Sequence, residues 1–218
     1  MRISLRLLCV VFAGLLTTTA FGQIDPLNSN ITNSAHNLTN VPGMESMGQI
    51  CLPCHVPHHA YPPEYTGDNI NSVLWNHDAP NHTFTMYTTM GGTTPGQPEG
   101  TSKMCLGCHD GVTALDNYGG TTTGTILMGA VGTGSADIGD GVSADLSNDH
   151  PIGITYPTGN PGYNDPAGFA GVQLVQIGGA GPERVECSSC HEPHNDSLGK
   201  FLRRELGESL ICLECHNK

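Results

Sequence analysis

Two cysteines three positions apart, followed at once by histidine, recur four times in the chain: Cys51-Leu52-Pro53-Cys54-His55, Cys105-Leu106-Gly107-Cys108-His109, Cys187-Ser188-Ser189-Cys190-His191 and Cys212-Leu213-Glu214-Cys215-His216. C-x-x-C-H is the attachment pattern for c-type haem. Each thiol adds to one vinyl group, and the adjacent imidazole reaches the iron from one face. Four units predict four covalently bound haem c, with His55, His109, His191 and His216 as proximal ligands. Four C-x-x-C pairs would also serve two all-cysteine zinc sites or a disulfide framework. Neither use requires a histidine after every second cysteine. With 11 His in 218 residues, four such coincidences have a chance of roughly six in a million on composition alone.

Four irons need four distal ligands, and an uneven internal repeat suggests them. The first and third motifs extend to C-x-x-C-H-x-P-H, which adds His58 and His194, and each is preceded by a solitary histidine, His36 or His150. The chain thus reads as two di-haem modules, 23–120 and 121–218, each in the order His, C-x-x-C-H-x-P-H, C-x-x-C-H. The expected distal set is His36, His58, His150 and His194. Bis-His iron is six-coordinate and lies lower in potential than His/Met iron. His58 and His194 sit three residues beyond a proximal histidine, too near to reach the far face of the same haem. Each is expected to serve a neighbouring haem and so lock haems into pairs. Methionine ligation by Met44, Met47, Met86, Met90, Met104 or Met128 is the alternative, but these positions do not repeat. His59, His77 and His82 have no counterpart in the second half and read as surface imidazoles or propionate partners, with His77 the first substitute in the distal set.

These residues need elements to position them, and the composition supplies few. Gly 29 and Pro 15, with only 6% aromatic residues, leave too little apolar mass for an ordinary core. The expected fold class is mostly irregular, with short α-helices and few short strands wrapped around a stacked chain of four haems. An arm spans 23–43, and a short helix covers 44–55 with Pro53 inside it. A helical piece lies around 71–75, followed by a Thr-rich loop at 83–101 and a helical turn over 102–109. Residues 110–186 contain no haem motif and show strand patterns at 125–131 and 171–177. A closing helix spans 207–216. The acidic stretch 137–149 offers carboxylates to calcium, but its spacing does not fit an EF-hand and it reads as a solvated loop.

Residues 1–22 have the form of a secretory signal. Arg2 and Arg6 precede an apolar run at 7–16, and Ala20-Phe21-Gly22 supplies small residues before Gln23. That run is too short to span a bilayer, and no transmembrane segment is expected later. Cys9 falls inside the run, so all eight remaining cysteines belong to haem motifs. The signal holds two of the eight basic residues and none of the twenty acidic ones, so the mature chain has a formal charge of −14. Such a surface argues against nucleic acid as a partner and leaves basic proteins or divalent cations open.

His36, the four motifs, 187–194, 146–151 and 209–218 together resemble the doubled C-x-x-C-H multihaem cytochromes. The closer likeness is to the OmcE-type tetrahaem cytochromes, which polymerise into extracellular nanowires. The resemblance implies haems stacked continuously through a homopolymeric filament, with an N-terminal histidine of one subunit ligating a haem of the next. The matching residue is His36, and the expected acceptor is the haem at Cys212, Cys215 and His216. It also implies a secreted, cell-surface protein that exchanges electrons with periplasmic or outer-membrane redox proteins and extracellular acceptors. The alternative is a monomeric periplasmic shuttle with His36 bound in its own chain. A multihaem oxyanion reductase ranks below both, since it needs an open iron position. The chain is therefore read as an electron-transfer protein and not an enzyme.

Overall fold

The computed structural model describes residues 31–45, 48–58, 74–88, 94–131, 136–141, 144–179 and 181–218. The signal, the first part of the arm, Met47, His59, residues 71–73 and Met90 lie outside the described residues.

Regular structure is sparse, as the glycine and proline content dictates. Among the described residues, beside short 3-10 turns at Ile31–Asn33, Leu38–Asn40, Pro166–Gly168, Ile177–Gly179 and Gly207–Ser209, it comprises in chain order β1 (Thr85–Met86), α1 (Gly100–His109), α2 (Met128–Val131), β2 (Asp145–Leu146), β3 (Ile154–Thr155), β4 (Arg184–Val185), α3 (Cys187–Cys190) and α4 (Leu210–Cys215). The strands form two minimal ladders. β1 pairs parallel with β2, Thr85 opposite Asp145, and β3 pairs antiparallel with β4, Ile154 opposite Val185. Among the described residues no helix is long and apolar enough to cross a membrane.

Two small apolar clusters carry the packing. Phe84, Met86, Leu106, Ala144 and Leu146 form the first, with Ile138 and Ile152 against it. Leu38, Met44, Leu115 and Met128 form the second, with Val41, Ile126 and Tyr118 around them. Both clusters and the β1–β2 ladder cross the 120/121 boundary, so the repeat unit is not a separate packing unit. Residues 31–43, expected as part of an extended arm, are anchored: Leu38 is buried, and Asn37 caps a short turn by accepting from Thr39 N at 3.3 Å.

Two local expectations differ from what is observed. No α-helix forms over the described part of 44–55; Pro53 has no amide to donate, and one helical turn survives, closed by His55 N donating to Cys51 O at 2.8 Å. Residues 125–127 are not a strand. The Thr125 and Ile126 amides donate to the Asp116 carboxylate at 2.9 Å each, so side-chain acceptors replace a ladder partner. Around Val175 only an isolated bridge to Arg184 remains of the second strand pattern.

Candidate functional site

Each C-x-x-C-H motif is built on one helical turn. The histidine amide donates to the carbonyl of the first cysteine at 2.8 Å in the first motif, 3.1 Å in the third and 2.9 Å in the fourth, while the second motif forms the end of α1. Residues at i, i+3 and i+4 of a helix share one face, so both thiols and the imidazole point the same way. The turns stop where they must. Asp110 closes α1 by accepting from Val112 N, Thr113 N and Thr113 Oγ at 2.9, 2.7 and 2.7 Å. Gly107 is obligatory within α1, because a Cβ there would lie 2.6 Å from the Asp78 carbonyl oxygen.

All eight motif cysteines are free of disulfides. Among the described residues no group of His, Cys, Asp and Glu is arranged to hold a bare metal ion. Burial pushes the Cys54 and Cys108 thiols up to about 12 and that of Cys215 to about 11. Cys105 is raised first by a hydrogen bond to Cys187 and then by burial, and the same bond lowers Cys187. The second and third motifs thus lie side by side. α1 and α3 are riveted there by Thr101 Oγ with Ser188 Oγ at 2.7 Å, Cys187 N donating to Ser102 Oγ at 3.0 Å, and a short Ser102–Glu186 hydrogen bond.

Three of the four expected distal histidines each face a proximal one. Ring centres are 6.1 Å apart for His36 and His109, 6.0 Å for His55 and His194, and 6.4 Å for His150 and His216. His58 and His191 are both exposed. The ring nitrogens are sorted by their partners. Nδ1 faces a backbone carbonyl at Pro193 for His36 (3.0 Å), Ala136 for His109 (2.7 Å), Pro151 for His150 (3.1 Å) and Lys200 for His191 (2.9 Å). A carbonyl only accepts, so Nδ1 carries the proton and Nε2 keeps a lone pair, the arrangement usual for a metal-bound imidazole. Burial, partly offset by these bonds, lowers His36 and His109 and favours the neutral ring. Burial also lowers His216.

The substitutes are engaged elsewhere. His77 is fully buried, with Nδ1 at 2.9 Å from the Asp78 carbonyl and Nε2 at 3.2 Å from that of Leu115. His82 Nε2 lies 3.4 Å from Asp110 Oδ2, and its ring tilts over Phe84. Met44, Met86 and Met128 are core residues. In the acidic stretch, Asp137 and Asp145 accept from the amides of Gly141 and Ser147 at 3.1 and 2.9 Å, as in an ordinary solvated turn. Sequence reasoning missed Trp75, which packs edge-on against His55 at 5.9 Å, and Phe201, which stacks on His36. A covalently attached haem fits what surrounds the motifs. The buried Trp75 indole N–H beside His55 has no partner, as a donor awaiting a propionate would.

Residues 181–218, which hold the third and fourth motifs, match the family described as the doubled CXXCH motif. No curated protein matches the chain. The match falls on the segment that carries two of the four motifs, and it supports c-type haem attachment and electron transfer as the chemistry of these motifs.

Proposed function

We propose that the chain is a tetrahaem cytochrome in which histidines ligate every iron on both sides. The separation of the three histidine pairs carries this reading. A metal–imidazole bond of about 2.0 Å, with the ring centre roughly 1.1 Å behind the nitrogen, sets two axial rings about 6.2 Å apart. The pairs lie at 6.1, 6.0 and 6.4 Å. Elimination and the repeat then assign His58 to the haem proximally held by His191. His194 serves the first motif while His58 serves the third, a reciprocal exchange between the two C-x-x-C-H-x-P-H units. Bound haem supplies a reversible one-electron change at iron, and two imidazoles per iron leave no position for a substrate.

The position of His36 shapes the partner reading. Its ring is stacked and hydrogen-bonded within its own chain, which favours ligation in cis and a self-contained electron carrier, exported by residues 1–22. A homopolymer of the nanowire kind remains the second reading, favoured by exposed Leu213 (42%) next to the exposed Cys212 of the fourth motif. Copies meeting there would join haem chains end to end without borrowing His36. Intact mass and pyridine haemochrome of the purified native protein should count four haems. Electron paramagnetic resonance should find only low-spin iron, and electron microscopy should separate monomers from filaments. Fewer haems, or a resting high-spin signal, would overturn the tetrahaem bis-His assignment.

A further inference from the structure

The turn after the third motif contains three successive left-handed residues: Gly199 at φ 77°, Lys200 at 52° and Phe201 at 56°. Glycine accepts this region without cost, whereas lysine and phenylalanine are strained in it. Such strain persists only where the surroundings enforce it, and here they do. The Asp196 carboxylate accepts from Phe201 N at 2.8 Å. Phe201 O accepts from Glu192 N at 2.7 Å, and Arg203 N donates to Cys190 O at 2.8 Å. Arg203 also donates through Nε to Ser188 O at 2.8 Å and pairs with Glu192 at 2.9 Å.

The strained pair faces two different haem sites. The Lys200 carbonyl holds His191 Nδ1 at 2.9 Å. The Phe201 ring lies flat on His36, with centres 4.0 Å apart and planes 16° from parallel. One residue therefore fixes the proximal ligand of the third motif and the next braces the distal ligand of the second. We propose that Phe201 is the positioning residue for His36, held against it by the same turn whose Lys200 carbonyl meets the proximal histidine of the third motif. This rests on the ligand assignment above. Two contacts define the plane of the His36 ring: Pro193 O on one nitrogen and Phe201 across its face. Removing the aromatic face leaves rotation about the remaining bond unopposed.

The test uses the full, haem-loaded chain and compares Phe201→Leu, Phe201→Tyr and His36→Ala by electron paramagnetic resonance and potentiometric titration. Phe201→Leu should move the g values of one low-spin signal and shift one reduction potential without producing high-spin iron. Phe201→Tyr should restore the parent signal. His36→Ala should convert one haem to high spin. If Phe201→Leu matches the parent while His36→Ala converts one haem, the ligand stands and the positioning role is overturned. If His36→Ala also matches the parent, the ligand assignment itself is overturned. Should Phe201→Leu give no loaded protein, Phe201→Met, flexible and of similar bulk, takes the same measurement.

Discussion

The contact between α1 and α3 concentrates an unusual load on one hydroxyl. Ser102 is fully buried, donates to the equally buried Glu186 and accepts from Cys187 N at 3.0 Å. Ser102→Ala removes both bonds in a place water does not reach. A hydrogen bond to a charged group contributes about 1.5–3 kcal/mol, and a buried amide left without an acceptor costs about 1–3 kcal/mol. The Glu186 carboxylate keeps the donors of its capping box around Ser189, so the two costs do not add in full, and a loss of about 3 kcal/mol follows. For a chain of this size that lowers the melting midpoint by about 6–12 °C. Far-UV circular dichroism and Soret absorbance of the loaded variant, recorded on heating, measure it. A midpoint within about 2 °C of the parent, at full haem loading, would refute the view that this hydroxyl ties the two motifs together.

Leu106→Ala, at a fully buried position between Phe84, Met86, Ala144 and Leu146, should cost about 2–5 kcal/mol in denaturant titration. A loss under about 1 kcal/mol would mean the cluster contributes little. His58→Ala and His77→Ala should separate cleanly. The first turns one haem high spin with little change in stability, and the second destabilises the chain while its spectrum stays low spin. An exchange of those outcomes would reassign the distal ligand. Arg204→Met leaves the buried Glu214 carboxylate with the amides of Gly171 and Val172 at 3.0 and 2.7 Å. Arg204 is itself one-third exposed, so the expected loss in urea titration is about 1 kcal/mol, and a loss above about 3 kcal/mol would show those amides do not suffice.

The sequence carried the attachment chemistry because that chemistry is local: a five-residue pattern forces one helical turn wherever it occurs. It carried the loop-rich class for the same reason, since glycine and proline act on their own backbone. α1 was legible because it has no internal proline and its one buried leucine, Leu106, faces a cluster. The first motif's helix was not, because Pro53 reduces it to a single turn. The strand pattern at 125–131 is not realised: an apolar run cannot reveal that the Asp116 side chain takes the Thr125 and Ile126 amides, or that 128–131 turn into α2. The assignment of histidines to partners was the least legible of all. His36 meets Pro193 across 157 positions, and no local pattern encodes a contact of that range. Phe201 escaped notice for a related reason: a lone aromatic in a polar loop has no periodicity, and only its left-handed backbone and its stacked neighbour mark it out.

The repeat suggests two modules, yet the packing crosses between them at every level. Met128 and Ile126 complete the cluster of Leu38, Met44 and Leu115, and Ala144 and Leu146 complete that of Phe84 and Leu106. His194 faces His55, and the support of His36 comes from Pro193 and Phe201. A chain ending at residue 120 would keep two complete attachment motifs and one solitary histidine while losing Ala144 and Leu146 from one cluster and Met128 from the other. It should therefore attach haem and yet fail to present a stable sixth ligand to the first site. High-spin iron and a non-cooperative thermal transition are expected from it, where the full chain should be low spin and cooperative. Two low-spin haems and a sharp transition in that half would show that each module is complete in itself. The exchange of His58 and His194 would then be a contact formed after folding, and not part of what folds the chain.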